Sequence, residues 1–162
     1  MVEEQDAGAL DAQAWERRAA LCRDRIARIG WLAGSWRGHG LHGGVPRVCE
    51  VETRLLFDGG FLEARERIFT PEGIVEHEDL TIYGVDPDEG PGTYWATAFI
   101  RGGLAVKYVV HVSGEQIVCD PEQFGARLSI MRTGDGYRVR IFYPDGQGGW
   151  LEDAVVEYLP RE

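Results

Sequence analysis

Residues 47–69, RVCEVETRLLFDGGFLEARERIF, contain two runs in which apolar and charged side chains alternate, separated by an Asp-Gly-Gly turn. In the first run, Cys49, Val51 and Thr53 share one face, while Glu50 and Glu52 lie on the other. Strict alternation is typical of a β-strand with one buried face, and Asp-Gly favours a tight hairpin turn. The stretch therefore predicts a β-hairpin with one face toward a core.

The same pattern continues along most of the chain. Runs rich in Val, Ile, Tyr, Phe and Thr recur about every ten residues and are separated by Gly, Pro and Asp. Because no later segment has a helical period, parallel crossover connections are absent and the strands should be antiparallel. We predict an all-β, up-and-down antiparallel barrel of eight to ten strands, with a sandwich as the alternative. The predicted strands are 34–42, 47–57, 61–69, 74–84, 93–101, 104–112, 115–120, 126–132, 137–143 and 150–159.

The segment before the strands has a different period. Residues 11–29 are predicted to form an amphipathic helix, with Asp11 as its N-terminal cap and Gly30 after its end. Its apolar stripe is predicted to contain Trp15, Ala19, Cys22, Ile26 and Ile29.

The chain divides into three predicted parts. The acidic residues 1–10 read as a flexible tail, and the helix 11–29 is expected to pack on a single barrel domain, residues 30–162.

Charge and composition exclude several classes of function. The chain has 162 residues and a formal net charge of −10, which argues against nucleic acid and anionic membrane surfaces as partners. The N-terminus has no apolar signal sequence, and no run approaches the roughly 18 apolar residues that span a bilayer. The three cysteines are far apart in sequence, which is typical of free thiols in a reducing compartment. We therefore expect a cytoplasmic protein.

The third and fourth strands carry the candidate catalytic residues. The more apolar face of residues 61–69 contains Glu66, which must have a partner, a raised pKa or a polar ligand if it is buried, unless it lies at a solvated rim. In residues 74–84 neither face is clearly apolar, so the sequence leaves open whether the side of His77 or the side of Glu78 points inward. We predict Glu66 and His77 as an acid–base pair.

A barrel of this size leaves room for a ligand among a few convergent polar groups. We expect a small, mostly apolar organic molecule to bind there. Five residues are predicted to line the cavity: Thr53, Tyr83, Trp95, Tyr108 and Tyr143. No metal site is predicted.

The stretch LAGSWRGHG, residues 32–40, resembles the G-x-W opening of calycin-like barrels: lipocalins, fatty-acid-binding proteins, nitrobindins and related uncharacterised bacterial barrels. It is most similar to the nitrobindin and uncharacterised branch. Gly34 and Trp36 match the motif. The resemblance implies that Trp36 plugs one end of the barrel and that Arg161, after the last strand, covers it.

The resemblance also implies candidate functions. Some bacterial calycin-like barrels are cofactor-free isomerases or cyclases of natural-product biosynthesis, with an N-terminal helix over the barrel mouth. Nitrobindins bind haem through a histidine in the last strands, but residues 150–159 contain none, so His42 or His77 would have to replace it. A further alternative is a non-catalytic module that binds a partner through the outer strand face. A homodimer is left open, and no cofactor is expected apart from the haem alternative.

Overall fold

The computed structural model describes residues 12–162, and its central feature is a closed barrel of ten antiparallel strands. Each strand pairs with the next along the chain, and the first pairs with the last, which closes the sheet. The predicted tail, residues 1–10, and the predicted cap Asp11 lie outside the described residues. The strands are β1 (Gly34–His42), β2 (Val45–Leu56), β3 (Phe61–Phe69), β4 (Val75–Gly84), β5 (Thr93–Ile100), β6 (Leu104–Ser113), β7 (Gln116–Pro121), β8 (Arg127–Thr133), β9 (Gly136–Pro144) and β10 (Trp150–Pro160).

The predicted all-β antiparallel barrel is confirmed, and local alternation explains why. The largest difference in strand bounds is at β2, which begins at Val45 rather than at residue 47. In β2, Cys49, Val51 and Thr53 are buried while Glu52 and Arg54 are exposed. This alternation selects the inner face, because a shift of one residue would turn every apolar side chain into solvent.

In the described part of the chain one α-helix, α1 (Ala12–Ala27), precedes the strands and is followed by a 3-10 helix at Gly30–Leu32. Ile26 and Ile29 are fully buried in the core at one end of the barrel. We call this the closed end, because the helical segment lies there beside the β4–β5 loop. We call the opposite end, which holds the β1–β2 and β3–β4 turns, the open end.

The helix meets the closed end with a polar side chain as well as apolar ones. Arg25, predicted to lie off the buried stripe, is 8% exposed because its guanidinium donates to the carbonyls of Asp86 and Glu89, at 3.3 and 3.0 Å. Trp15, predicted on the buried stripe, is 59% exposed. That prediction is wrong because the barrel supports only the last turns of the helix. The helix therefore packs on the β4–β5 loop at the closed end, away from the open end.

We expect Tyr94→Phe to lower the free energy of unfolding by about 1 kcal/mol, the usual value of one buried hydrogen bond. The Tyr94 hydroxyl donates to the Arg25 carbonyl at 2.7 Å and ties β5 to α1. Urea denaturation measures the effect. Tyr143→Phe is the matched control, since Tyr143 is 49% exposed and should change stability by much less. Equal effects of the two substitutions would contradict this role for Tyr94.

The residues of the G-x-W motif lie at the closed end. Trp36 is 8% exposed, its Nε1 donates to the Leu32 carbonyl at 2.7 Å, and its ring meets Tyr137 edge to face at 5.0 Å. Arg161 does not cover this tryptophan, so that expectation is wrong. Its guanidinium lies on the outer face, 3.4 Å from Glu50, because the last strand directs it toward the carboxylates of β2.

Within residues 12–162, no helix has the length and apolar character needed to cross a membrane.

Candidate functional site

Strands β3 and β4 place two carboxyl groups side by side inside the barrel. Glu66 and Asp79 are directly opposite each other in the antiparallel pairing. On β3, Glu66 lies on the same face as the buried Leu62 and Ile68. On β4, Asp79 lies on the same face as Tyr83, which is 6% exposed. The face that the sequence left open is therefore the one with Asp79, and it points inward.

Glu66 is the most perturbed carboxyl group of this cluster. Loss of solvent and the neighbouring charge of Asp79 raise its pKa to about 7, because both disfavour a second negative charge there. The Tyr158 hydroxyl donates a hydrogen bond to Glu66 Oε1 at 2.5 Å, which acts in the opposite direction by favouring the carboxylate. Glu66 therefore holds a proton over part of the neutral range and can release it.

Asp79 connects Glu66 to the predicted partner His77. His77 Nε2 lies 2.9 Å from Asp79 Oδ2, and the Thr81 hydroxyl donates to Asp79 Oδ1 at 3.2 Å. The hydrogen bond to Asp79 is the main reason that the pKa of His77 is raised. Glu66 and His77 thus lie on either side of Asp79 in one cluster, and their role as an acid–base pair stays a prediction.

Tyr158 is a site residue that sequence reasoning missed. Its ring stacks on Tyr137, with centroids 4.6 Å apart and an interplanar angle of 12°. Burial and nearby Glu66 raise the pKa of Tyr158 well above its usual value, so its hydroxyl stays protonated and donates. The ring passes over Gly38, where an added Cβ would lie 2.7 Å from the tyrosine. The missing side chain at Gly38 lets Tyr158 reach Glu66 from across two strands.

A cysteine and a second histidine border the cluster. Cys49 Sγ lies 3.8 Å from His42 Nε2. Burial raises the pKa of the Cys49 thiol to about 12, and it lowers the pKa of His42. This pair is therefore a neutral thiol beside a neutral imidazole at physiological pH, which is unsuited to nucleophilic catalysis.

Solvent reaches the inner face of the barrel. Ala64, Thr81 and Val139 point inward from the middle of their strands, yet each is only partly buried. The His77 side chain is 36% exposed and that of Asp79 is 13% exposed. The inner face around the cluster is therefore not fully shielded from solvent.

The other predicted ligand-binding residues fall into three groups. Thr53, Tyr83 and Tyr108 are buried on the inner face. Tyr143 has the inward parity of β9 but is 49% exposed at the open end. Trp95 faces outward, where its ring lies 6.0 Å from Phe61, so its prediction as a cavity residue is wrong. Its neighbour Tyr94 takes the inner position instead.

Ion pairs fill the outer face beside the cluster. A groove of about 500 Å³ runs along β3 and β4 and is lined mainly by outward side chains, among them Arg65, Arg67 and Glu78. Strands β3 and β4 form the floor of this groove, so the inward-facing residues Glu66 and Asp79 also contact it. A second groove, along β2 and β3, contains Glu63, which is 6% exposed because Arg54 and Arg65 bind it at 3.0 and 2.9 Å. These ion pairs are structural and lie outside the cavity.

We expect Tyr158→Phe to raise the pKa of Glu66 further above about 7, because the substitution removes the hydrogen bond that favours the carboxylate. Carboxyl carbon chemical shifts followed by NMR over a pH titration measure this directly. Tyr143→Phe, at the rim, should leave the titration unchanged. A lower pKa of Glu66 in Tyr158→Phe would contradict the assigned direction of the hydrogen bond.

The comparisons with known proteins support the fold. No family model matches the sequence, and no curated protein matches it either. Among solved structures, the chain is similar to the crystal structure of Rv2717c from M. tuberculosis, with a TM-score of 0.68 and 15% identity. The match covers 85% of this chain and 98% of that one. At this identity the similarity shows a shared barrel architecture alone.

Proposed function

We propose that the protein binds a small, mostly apolar organic molecule through the open end of the barrel, and that Glu66 exchanges a proton with it. One observation carries the proposal: a carboxyl group with a pKa of about 7 faces an interior that solvent can reach. The barrel fold is compatible with ligand binding.

The chemistry that suits this arrangement is general acid–base catalysis. A group whose pKa lies near the working pH gives and takes protons with similar ease. Tyr158 holds Glu66 Oε1, which leaves the second oxygen of Glu66 for the ligand. His77, hydrogen-bonded to Asp79 and partly exposed, provides a route by which protons return from solvent. Isomerisation or cyclisation without a cofactor is the reaction class that needs no more than this.

Proton exchange with a bound ligand tests the proposal. Native mass spectrometry of protein purified from its host identifies the ligand, and incubation of that ligand with protein in D₂O follows deuterium uptake. Glu66→Gln is expected to slow uptake by about 100-fold or more, the usual contribution of a general acid–base group. Glu78→Gln is the control, because Glu78 is an exposed carboxylate on the outer face of the same strand as Asp79. Equal uptake by wild type and Glu66→Gln would refute the assignment.

Haem binding has no observation in its favour. β10 contains no histidine, and the two histidines that face the open end have Nε2 directed at protein groups: His42 toward Cys49 and His77 toward Asp79. These residues do not fit an iron ligand, so we derive no step through haem.

A further inference from the structure

We propose that two copies of this chain pair face to face through an apolar surface on the outside of the barrel, related by a two-fold axis that crosses β4 and β5. This surface, the apolar face, is formed by the outward side chains of the two strands: Leu80, Ile82, Trp95, Thr97 and Phe99. The inference is independent of the proposed function, because it uses no residue of the barrel interior.

The apolar face differs from the outer surface of other strands. The outer faces of β2, β3, β9 and β10 carry ion pairs, for example Arg138 with Glu157. The outward positions in residues 80–84 and 95–99 carry no charged side chain. Because large contiguous apolar surfaces on soluble proteins mark sites of association, this side of the barrel is the place to look for a partner.

The exposed apolar area is of the size that a dimer needs. Phe57 and Phe61 extend the apolar face toward the closed end, since the Phe61 ring centroid lies 6.0 Å from that of Phe57 and 6.0 Å from that of Trp95. Phe57 is 81% exposed, Phe99 50% and Trp95 36%, so the four aromatic side chains together expose roughly 400 Å². A standard interface buries about 800 Å² of each partner, and a little over half of that area is apolar. The aromatic rings alone therefore supply most of the apolar area required.

The strand register makes the apolar face complementary to itself. Ile82 and Thr97 are directly paired and form its middle row. Trp95 lies two residues from this row toward the closed end, and Phe99 lies two residues toward the open end. A two-fold axis along the middle row exchanges these two ends. Trp95 of each copy then meets Phe99 of the other, while Ile82 and Thr97 each meet their own equivalents.

The same axis places a protruding ring over a groove. Phe57 follows β2 by one residue and lies three residues beyond Arg54, which pairs with Glu63 in the middle row, so it is about 10 Å from that row. The groove of about 500 Å³ lies at a similar distance on the other side of the row, where Leu80 and Arg101 line it. The two-fold axis therefore brings Phe57 of one copy to the groove of the other.

Arg101 gives this contact a polar component. Its side chain is exposed and has no ion-pair partner among residues 12–162. A guanidinium group binds favourably to the face of an aromatic ring, and the interaction strengthens when both groups leave water. The Phe57 ring of the second copy would supply such a face beside Leu80.

Charge complementarity at the edge of the face also favours a second copy. Lys107 extends the middle row onto β6, and the Glu122 backbone N–H donates to its carbonyl at 2.9 Å, so Glu122 continues the same row. Both side chains are exposed, and neither forms an ion pair within the described part of the chain. Across the two-fold axis Lys107 of each copy lies beside Glu122 of the other, which gives two symmetric pairs. These pairs offset part of the repulsion between two chains of net charge −10.

Sedimentation velocity of the full chain between about 1 and about 100 µM tests the association. We expect a dimer at the upper end and dissociation at the lower end. Phe99→Glu is expected to raise the dissociation constant at least about tenfold, because it places a carboxylate against Trp95 of the second copy. Leu159→Glu is the control, since Leu159 is 62% exposed on β10, on the opposite side of the barrel. A monomer at every concentration, or equal loss in the two variants, would overturn the proposal and leave the apolar face to another protein.

A charge exchange at Thr97 tests the position of the axis, because a residue on the axis meets its own equivalent. Thr97→Lys and Thr97→Glu are each expected to dissociate the dimer through repulsion between like charges. An equimolar mixture of the two variants is expected to restore it as a heterodimer, and circular dichroism of each variant alone checks that it is folded. A mixture that stays monomeric while both folded variants have lost the dimer would overturn the two-fold arrangement.

Discussion

Replacing Glu66 by Gln is expected to raise the free energy of unfolding by as much as about 3 kcal/mol above about pH 7, and to leave it nearly unchanged below about pH 4.5. In the folded protein the pKa of Glu66 is about 7, against an ordinary value of about 4.5 for this side chain in an unfolded chain. Between these two values the folded state binds more protons than the unfolded state. The free energy of unfolding of the wild type therefore falls as the pH rises across this window. Gln has no charge to develop, so the variant lacks this part of the pH dependence.

Gln is the suitable replacement because its side-chain oxygen can still accept the hydrogen bond from Tyr158. Glu66→Ala would also remove packing contacts, and the resulting loss of stability would mask the electrostatic increase in the free energy of unfolding. Urea denaturation at about pH 4.5, 6 and 8 gives the three free energies needed. The control is Glu78→Gln, an exposed carboxylate whose removal should shift all three values alike. Parallel curves for wild type and Glu66→Gln would show that Glu66 has the same pKa in the folded and unfolded states, against both its raised pKa and the proposed proton exchange.

Local sequence order determines most of the barrel, and for that reason the strands could be predicted. A strand buries alternate residues, so the pattern around Cys49, Val51 and Thr53 reports the inner face without knowledge of any neighbour. The same reasoning placed Glu66 inside, because Leu62 and Ile68 share its parity. A charged residue at a position of the apolar face of an alternating strand can therefore be identified from the sequence alone.

The partners of Glu66 could not be predicted, because they depend on register between distant strands. Tyr158 is 92 residues away in the chain, and its reach to Glu66 depends on closure of β1 against β10. Both faces of β4 carry polar side chains, such as His77 and Glu78, so alternation does not identify which face points inward. The pairing of β4 with β3 determines it. Trp95 follows another aromatic residue, Tyr94, and the pairing of β5 with its neighbours, together with the contact of Tyr94 with α1, selects which of the two points inward.

The helix shows the same limit. Its apolar stripe was predicted from spacing, but Trp15 is exposed, whereas Ile26 and Ile29 are fully buried. Spacing shows which residues share a face. It does not show how far along the helix the barrel extends. Arg25 is buried because the β4–β5 loop offers it carbonyl groups, and no local pattern contains that information.

Gly38→Ala is expected to destabilise the protein by about 2–3 kcal/mol and to separate Tyr158 from Glu66. An added Cβ would lie 2.6 Å from Val156 Cγ1 and 2.7 Å from the Tyr158 ring. Neither group can move easily, because Val156 is fully buried and the Tyr158 ring is stacked on Tyr137. If the ring is displaced, Glu66 loses its hydrogen-bond donor and its pKa rises. One methyl group would thereby change both stability and the titration of a carboxyl group on another strand.

Two further variants separate this steric effect from the intrinsic cost of replacing glycine. Gly30→Ala meets no atom within 4 Å, so it should change the free energy of unfolding by much less. Combining Gly38→Ala with Val156→Ala removes one of the two collisions, so the double variant should lose less stability than the sum of the single variants. Urea denaturation gives the energies, and NMR titration gives the pKa of Glu66. Full additivity would show that the added methyl group does not collide with Val156. An unchanged titration of Glu66 in Gly38→Ala would show that the tyrosine does not depend on the space above Gly38. The Tyr158 ring passes over Gly38 and donates a hydrogen bond to Glu66. A glycine of the G-x-W stretch therefore affects the titration of a carboxyl group inside the barrel as well as the stability of the protein.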